Sequence, residues 1–190
     1  MIAALTGGIG AGKSTTLEYF KQFGCAVYDT DEMVHQLYSN STEFRNQILE
    51  HWNLSASLDL KTLKQKIAEI VFTERDELIW LESIIHPLIQ ESLLKIKQSK
   101  SLAICAVPLL FETKMESLFD LVITVSCSEQ EQMKRLQARG WNKLDIEGRL
   151  KRQLSMTEKE NRADLIVSNC GSLAFLKKQC ELILLSHLTK

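Results

Sequence analysis

The 190-residue sequence contains little proline, few glycines and no CxxC pair of cysteines. Two prolines and eight glycines occur, and four of those glycines fall within the first twelve residues. No run approaches the roughly 18–20 apolar residues that span a membrane. The first residues, Met1–Thr6, also lack the basic region of a signal peptide. We therefore expect no membrane association and a cytoplasmic location.

The cysteine spacing argues against a zinc-binding protein, and the net charge argues against a nucleic-acid-binding protein. Five cysteines and four scattered histidines offer no zinc-ligand spacing, so we expect reduced, mostly buried thiols. The net charge is −1, with 45% hydrophobic and 25% charged residues, which is typical of a globular domain and argues against a nucleic-acid partner. A monomer is the favoured oligomeric state.

Short apolar segments alternate with helical patterns along much of the chain. This alternation predicts an α/β fold with a parallel five-stranded sheet and helices on both faces. The helix after the fourth segment has a predicted capping box at Ser128 and Glu131, and Thr157 with Glu160 is a candidate cap for a later one. The predicted strands cover residues 2–6, 25–28, 102–107, 121–125 and 165–167.

Residues 32–100 differ from the rest of the chain in composition, with almost no glycine and a mostly helical pattern. We expect breaks near residues 40–42 and 53–57, and a third break at His86-Pro87 because proline disfavours helix at the preceding residue. A segment this long exceeds a simple crossover, so it should form a helical subdomain.

The segment Gly7–Ser14 matches the phosphate-loop pattern G-x-x-x-x-G-K-[ST] between a predicted strand and a predicted helix. Glycines let backbone N–H groups wrap closely around phosphate oxygens, and the helix directs its positive end toward the anion. Lys13 would reach the β- and γ-phosphates of ATP, and the Ser14 hydroxyl would ligate Mg²⁺. The loop alone does not separate kinases from GTPase switches or motor ATPases.

Residues 142–145 match the guanine-reading pattern NKxD. That motif should follow a buried strand, whereas here it lies in a basic helical stretch. We interpret the match as a chance occurrence.

Two aspartates, Asp29 and Asp31, end the second predicted strand at the sheet edge where ligands bind. Aspartate is ordinarily ionised at neutral pH, so one carboxylate could orient an acceptor hydroxyl and take its proton. Capping of the following helix by Asp31 is an equally open alternative.

Seven basic residues and only two acidic ones lie between Lys134 and Arg152. A solvated helical face is one interpretation. The other is a lid that closes over ATP and supplies an arginine to the transferring phosphoryl group. Arg135 and Arg139 are spaced four apart and share a helix face.

Taken together, six segments of the sequence resemble the conserved motifs of the dephospho-CoA kinase family. The matches keep their order over nearly the whole chain, and they are Leu5–Thr15, Tyr28–Asp31, His86–Leu88, Val107–Glu112, Ala163-Asp164 and Asn169–Ser172. In the block after Asp31, where many members carry arginine, this chain has His35.

The resemblance implies transfer of the ATP γ-phosphoryl group to the ribose 3′-hydroxyl of dephospho-CoA, the last step of CoA synthesis. It implies Asp31 as the catalytic carboxylate, acting with Lys13 and, among the lid arginines, Arg139. The implied cofactor-binding residues are Gly8, Ile9, Gly10, Ala11, Gly12, Lys13, Ser14, Thr15, Arg135, Asn169 and Gly171, with Ser14 on Mg²⁺. The implied substrate-binding residues are Asp31, His86, Leu109, Phe111 and Glu112.

The resemblance also implies a P-loop kinase core, a helical acceptor-binding subdomain and a helical lid. The core would comprise residues 1–31, 101–127 and 161–190, the acceptor domain 32–100 and the lid 128–160. Two alternatives stay open at this point. One is a small-molecule kinase acting on a nucleoside monophosphate or a hydroxy acid, and the other is a GTPase-type switch. His86 could also be a structural histidine at a helix break, with its hydrogen bonds made to nearby residues.

Overall fold

A computed structural model of the protein describes residues 1–99 and 101–188, without the side chains of Lys143 and Leu144. The predicted domain boundary at residue 100, the last two residues of the predicted core and the basic side chain of Lys143 therefore lie outside the described residues.

Within the described residues, five strands form one parallel sheet in the spatial order β2-β3-β1-β4-β5. This confirms the predicted α/β class and the strand count. All five residues of β1 are buried, so both faces of the sheet centre are covered, as parallel sheets require. The strands are β1 (Ile2–Thr6), β2 (Ala26–Asp29), β3 (Ala103–Ala106), β4 (Leu121–Ser126) and β5 (Leu165–Ser168).

Helices connect the strands and fill the long segment after β2. Side-chain caps begin most of them. Of the capping box predicted at Ser128 and Glu131, only the Ser128 half is present: its hydroxyl accepts from the Glu131 N–H at 3.3 Å, whereas the Ser128 N–H donates to Cys170 Sγ at 3.3 Å. A 3₁₀ turn covers Glu116–Leu118 and a π-helical turn covers Leu184–Leu188. The α-helices are α1 (Lys13–Gln22), α2 (Thr30–Asn40), α3 (Thr42–His51), α4 (Leu60–Thr73), α5 (Arg75–Gln98), α6 (Glu129–Ala138), α7 (Lys143–Leu150), α8 (Met156–Arg162) and α9 (Leu173–Ile183).

Helix α5 continues through Pro87, so the predicted break at His86-Pro87 is wrong. Proline removes one helical N–H donor and usually kinks a helix. The buried residues Leu81, Ile89 and Leu93 lie on both sides of the proline at helical spacing. We infer that burial of this face outweighs the local preference against helix.

The predicted cap at Thr157 and Glu160 is also wrong, because α8 begins earlier. Ser155 and Glu158 form the capping box instead: the Ser155 hydroxyl accepts from the Glu158 N–H at 3.2 Å, and the Glu158 carboxylate accepts from the Ser155 N–H at 2.9 Å. Both pairs have the same sequence spacing, so the pattern alone does not choose between them.

The chain divides into two compact units, each with its own hydrophobic core. The first unit is Met1–Thr30 with Lys95–Lys190, and the second is Asp31–Leu94. Strand residues and the buried faces of α1 and α9 form the first core, which includes Leu5, Phe20, Ile104, Ile123, Val167 and Leu176. The second core includes Tyr38, Phe44, Ile48, Leu63 and Ile67.

Four of the five cysteines are buried free thiols, and Cys170 is exposed. Burial, with a smaller contribution from the nearby Asp29 carboxylate, raises the pKa of the Cys105 thiol to about 12. Among the described residues, no helix combines the length and the apolar character that a membrane span needs.

A buried ion pair links the segment after β3 to α8. The Lys159 side chain has 0% exposure, and its Nζ lies 2.9 Å from the Glu112 carboxylate and donates to the Pro108 carbonyl at 2.9 Å. The same carboxylate oxygen accepts from the Leu154 N–H at 2.7 Å. Its second oxygen is buried without a hydrogen-bond partner among the described residues.

We expect Lys159→Met to lower the free energy of unfolding by about 3–5 kcal/mol, because it leaves the Glu112 carboxylate buried without its counter-ion. Urea denaturation measures the change. Lys178→Met is the matched control, since Lys178 pairs with Glu181 on the exposed surface and should cost no more than about 1 kcal/mol. Equal losses in the two variants would contradict this account of the buried pair.

Candidate active site

The carboxyl ends of the strands meet along one edge of the sheet. The parallel registers set Leu5 beside both Ala106 and Ile123, and Ser126 beside Ser168. The chain connections reverse direction at β1, which has β3 and β2 on one side and β4 and β5 on the other. Open parallel sheets bind ligands at such a point, and the glycine loop follows β1 there.

Three glycines give the loop its shape. Gly7, Gly10 and Gly12 have φ angles of +145°, +76° and +107°, which side-chain-bearing residues rarely adopt. Space is also lacking: a Cβ on Gly7 would lie 2.4 Å from the Val125 carbonyl oxygen, and one on Gly12 would lie 2.0 Å from Asn169 Nδ2. The loop is therefore a backbone cradle into which no side chain intrudes from these positions.

Lys13 spans the loop. Its Nζ donates to the carbonyl oxygens of Gly7 at 2.8 Å and Gly8 at 3.1 Å. Lys13 also begins α1, whose first turn contains no acidic residue, so the ammonium and the helix N-terminus both place positive charge at the loop. Ser14 and Thr15 follow it and are exposed.

Two predicted nucleotide-binding residues meet at the carbonyl of Ala11. Asn169, which is buried, donates from Nδ2 to this oxygen at 2.7 Å. Arg135 donates to the Asn169 carbonyl at 2.7 Å and to the Ala11 carbonyl at 3.4 Å. Arg135 is thus held beside the loop, whereas Arg139 lies exposed at the C-cap of α6.

Sequence reasoning missed two glutamines that hold the loop at Ile9. Gln132 donates from Nε2 to the Ile9 carbonyl at 2.6 Å, and the Gln153 side-chain oxygen accepts from the Ile9 N–H at 3.0 Å. Both glutamines lie in the predicted lid segment, residues 128–160. No local pattern marks them, because more than 120 residues separate each from Ile9.

The predicted substrate-binding segment after β3 divides into inward and outward residues. Phe111 is buried, with the Arg162 guanidinium 4.5 Å from its ring centroid, and Glu112 is engaged by Lys159. Leu109 is 38% exposed. Gly171 is exposed in the turn that leads from Asn169 to α9.

Two predicted acceptor-side residues belong to the second unit. Asp31 is the second residue of α2, so it lies inside the helix rather than at the residue that precedes it. A carboxylate in a first helical turn is favourably placed relative to the helix dipole. His86 lies half-buried in the middle of α5.

The chance interpretation of the NKxD pattern agrees with the local geometry. The Asn142 side chain caps α7 and accepts from the Asp145 N–H at 2.9 Å. A capping asparagine is an ordinary helix start and not a base-reading residue at the end of a strand.

The residues at the loop fit a nucleotide polyphosphate with a divalent cation. The described residues contain no cluster of three His, Cys, Asp or Glu side chains that could hold a metal ion alone. A backbone cradle, a lysine and an exposed Ser14 hydroxyl suit instead a cation that arrives with phosphate oxygens as ligands.

Relatives with curated names cover nearly the whole chain. A protein named dephospho-CoA kinase from Carboxydothermus hydrogenoformans is 34% identical over 96% of this chain and 92% of its own length. One of the same name from Trichormus variabilis is 34% identical over 96% of each chain.

Solved structures share the fold. A protein of Thermus thermophilus superposes with a TM-score of 0.83 at 27% identity, over 98% of this chain and 97% of its own. The dephospho-CoA kinase of Campylobacter jejuni has a TM-score of 0.63 at 24% identity over 97% and 95%, which supports the fold alone. The family model for dephospho-CoA kinase matches residues 1–174, and the chain belongs to that family.

Proposed function

We propose that this chain transfers the γ-phosphoryl group of ATP to the ribose 3′-hydroxyl of dephospho-CoA, giving CoA and ADP. The observation that carries the proposal is the glycine loop, whose positive-φ glycines and Lys13 ammonium supply the donors that a polyphosphate needs. Family membership over residues 1–174 supports the choice of acceptor. We also propose that the enzyme is a cytoplasmic monomer and that its substrates are small molecules.

On the donor side, the loop amides from Gly8 to Thr15 and the Lys13 ammonium would bind the β- and γ-phosphates. The Ser14 hydroxyl would hold Mg²⁺, which when bound neutralises phosphate charge. Asn169 and Gly171 would lie beside the adenine. Arg135 is already fixed at the loop through Ala11, and Arg139 would reach the transferring group as the lid segment closes.

On the acceptor side, Asp31 would accept the proton of the 3′-hydroxyl as its oxygen attacks phosphorus. The first turn of α2 keeps this carboxylate at a fixed place on a rigid element. His86, Leu109, Phe111 and Glu112 would help to position the acceptor. Phe111 and Glu112 would do so indirectly, by shaping the segment in which Leu109 is exposed.

The function is tested by a coupled assay with ATP, Mg²⁺ and a panel of acceptors. We expect turnover with dephospho-CoA and much less with a nucleoside monophosphate or shikimate, and a preference for ATP over GTP. Folded protein that binds ATP and shows no turnover of dephospho-CoA above background would overturn the proposal. Selective turnover of another acceptor would replace it with a different small-molecule kinase.

We expect Asp31→Asn to lower kcat by about 10²- to 10⁴-fold, because the change removes the proton acceptor at nearly constant shape. The dissociation constant for ATP, measured by calorimetry, should stay within about twofold of the wild-type value. Glu32→Gln is the matched control, since it removes the same charge from the same helical turn. If both variants lose kcat equally, the carboxylate acts on the helix and not on the substrate.

The Gln153 contact predicts competition with the nucleotide. Its oxygen accepts from the Ile9 N–H, an amide of the loop that would otherwise face a phosphate oxygen. We expect Gln153→Ala to tighten ATP binding about 2- to 10-fold, the worth of one hydrogen bond, and Gln153→Glu to weaken it through charge repulsion. Calorimetry with ATP decides, and an alanine variant that binds ATP no more tightly than wild type would refute the competition.

A further inference from the structure

Two basic side chains from different helices of the second unit meet outside the residues already assigned. Lys64 on α4 donates from Nζ to His35 Nδ1 on α2 at 2.5 Å. The same ammonium lies 5.1 Å from the centroid of the Tyr38 ring. His35 is exposed and Lys64 is half-buried, so the pair is open to solvent on one side.

The direction of this hydrogen bond fixes what the pair offers to a ligand. An ammonium group has donors only, so Nδ1 is the acceptor in this hydrogen bond, which assigns the ring hydrogen to Nε2. The remaining ammonium N–H groups and the Nε2–H are therefore free to be shared with an acceptor that approaches from solvent. These three donors and one positive charge form a site for an oxyanion.

The charge of Lys64 is not neutralised by its neighbours. In the described part of the chain, neither Lys64 nor His35 lies within ion-pair distance of a carboxylate. Burial raises the pKa of the Tyr38 hydroxyl to about 12, so this neighbour is uncharged at neutral pH. The lysines that pair with carboxylates elsewhere, such as Lys97 with Asp120, have no such surplus of charge.

His35 also lies at a defined spacing along α2 from the proposed catalytic carboxylate. His35 follows Asp31 by four residues in α2, so the two share a helix face and lie about 6 Å apart along the helix axis. In dephospho-CoA, the reacting 3′-hydroxyl and the 5′-diphosphate are carried by the same ribose. One sugar ring would therefore carry both the hydroxyl for Asp31 and the diphosphate for the cationic pair.

We propose that Lys64 and His35 form the subsite that binds the 5′-diphosphate of the acceptor. Lys64 then selects a nucleoside diphosphate ester and places the 3′-hydroxyl of its ribose at Asp31. The subsite rests on the proposed function, because the acceptor is the one named there.

Steady-state kinetics with dephospho-CoA test the subsite. We expect Lys64→Gln to raise the KM for dephospho-CoA at least tenfold, as loss of a charge-assisted hydrogen bond does, while kcat falls much less and the KM for ATP is unchanged. Lys64→Arg should keep most of the affinity. Lys66→Gln is the matched control, since it removes the same charge from an exposed position on the same helix.

Calorimetric titration of dephospho-CoA without ATP separates the possible failures. If the wild-type protein neither binds nor phosphorylates dephospho-CoA, the proposed function fails and the subsite with it. If the wild-type protein does both and Lys64→Gln matches Lys66→Gln, the subsite alone is overturned. His35→Arg exchanges the hydrogen-bond acceptor of Lys64 for a second cation. The added permanent charge should lower the dissociation constant for dephospho-CoA severalfold, and no gain in affinity would count against the subsite.

Discussion

The close approach of the glycine loop to the strands beside it is the constraint on which the donor site depends. Gly7 leaves no room for a Cβ against the Val125 carbonyl, and Gly12 leaves none against the Asn169 amide. Because the loop is pressed against β4 and the end of β5, its dihedral angles are set by packing before any nucleotide binds. The loop is therefore pre-organised, and binding need not pay the entropy of ordering it.

Hydrogen bonds from polar side chains also hold the glycine loop in place. The Ala11 carbonyl takes donors from Asn169 and Arg135, and Ile9 is held on its N–H and its carbonyl by glutamines of the lid segment. Every one of these contacts joins the loop to residues far along the chain. Any movement of residues 128–160 relative to the loop would therefore change the hydrogen bonding of Ile9, which would couple the proposed lid to the loop by direct contact.

The elements of the fold that could be predicted from the sequence are those that short local patterns specify. The β1 strand, the glycine loop and the start of α1 were predictable because apolar runs and glycine-lysine spacing act locally. The break at Pro87 was predicted wrongly because buried residues on both sides hold α5 together against a local preference. Gln153 and the buried Lys159 were missed because only the folded chain brings them to Ile9 and Glu112. Their own sequence neighbourhoods resemble those of ordinary surface residues.

The distribution of charge separates the two halves of the proposed chemistry. The first unit places the Lys13 ammonium on loop carbonyls, where it would serve the phosphates of the proposed donor. The second unit carries a carboxylate, Asp31, and, about one helical turn further along α2, His35, whose Nδ1 accepts from the Lys64 ammonium. A general phosphate-binding surface would not need a carboxylate so near its cation, because the two charges oppose each other toward an anion. An acceptor that carries both a reacting hydroxyl and a phosphate ester would use both, since in the proposed site the carboxylate would take the proton while the ammonium would hold the ester. The spacing of Asp31 and His35 along α2 is thus better suited to one sugar phosphate than to a free anion.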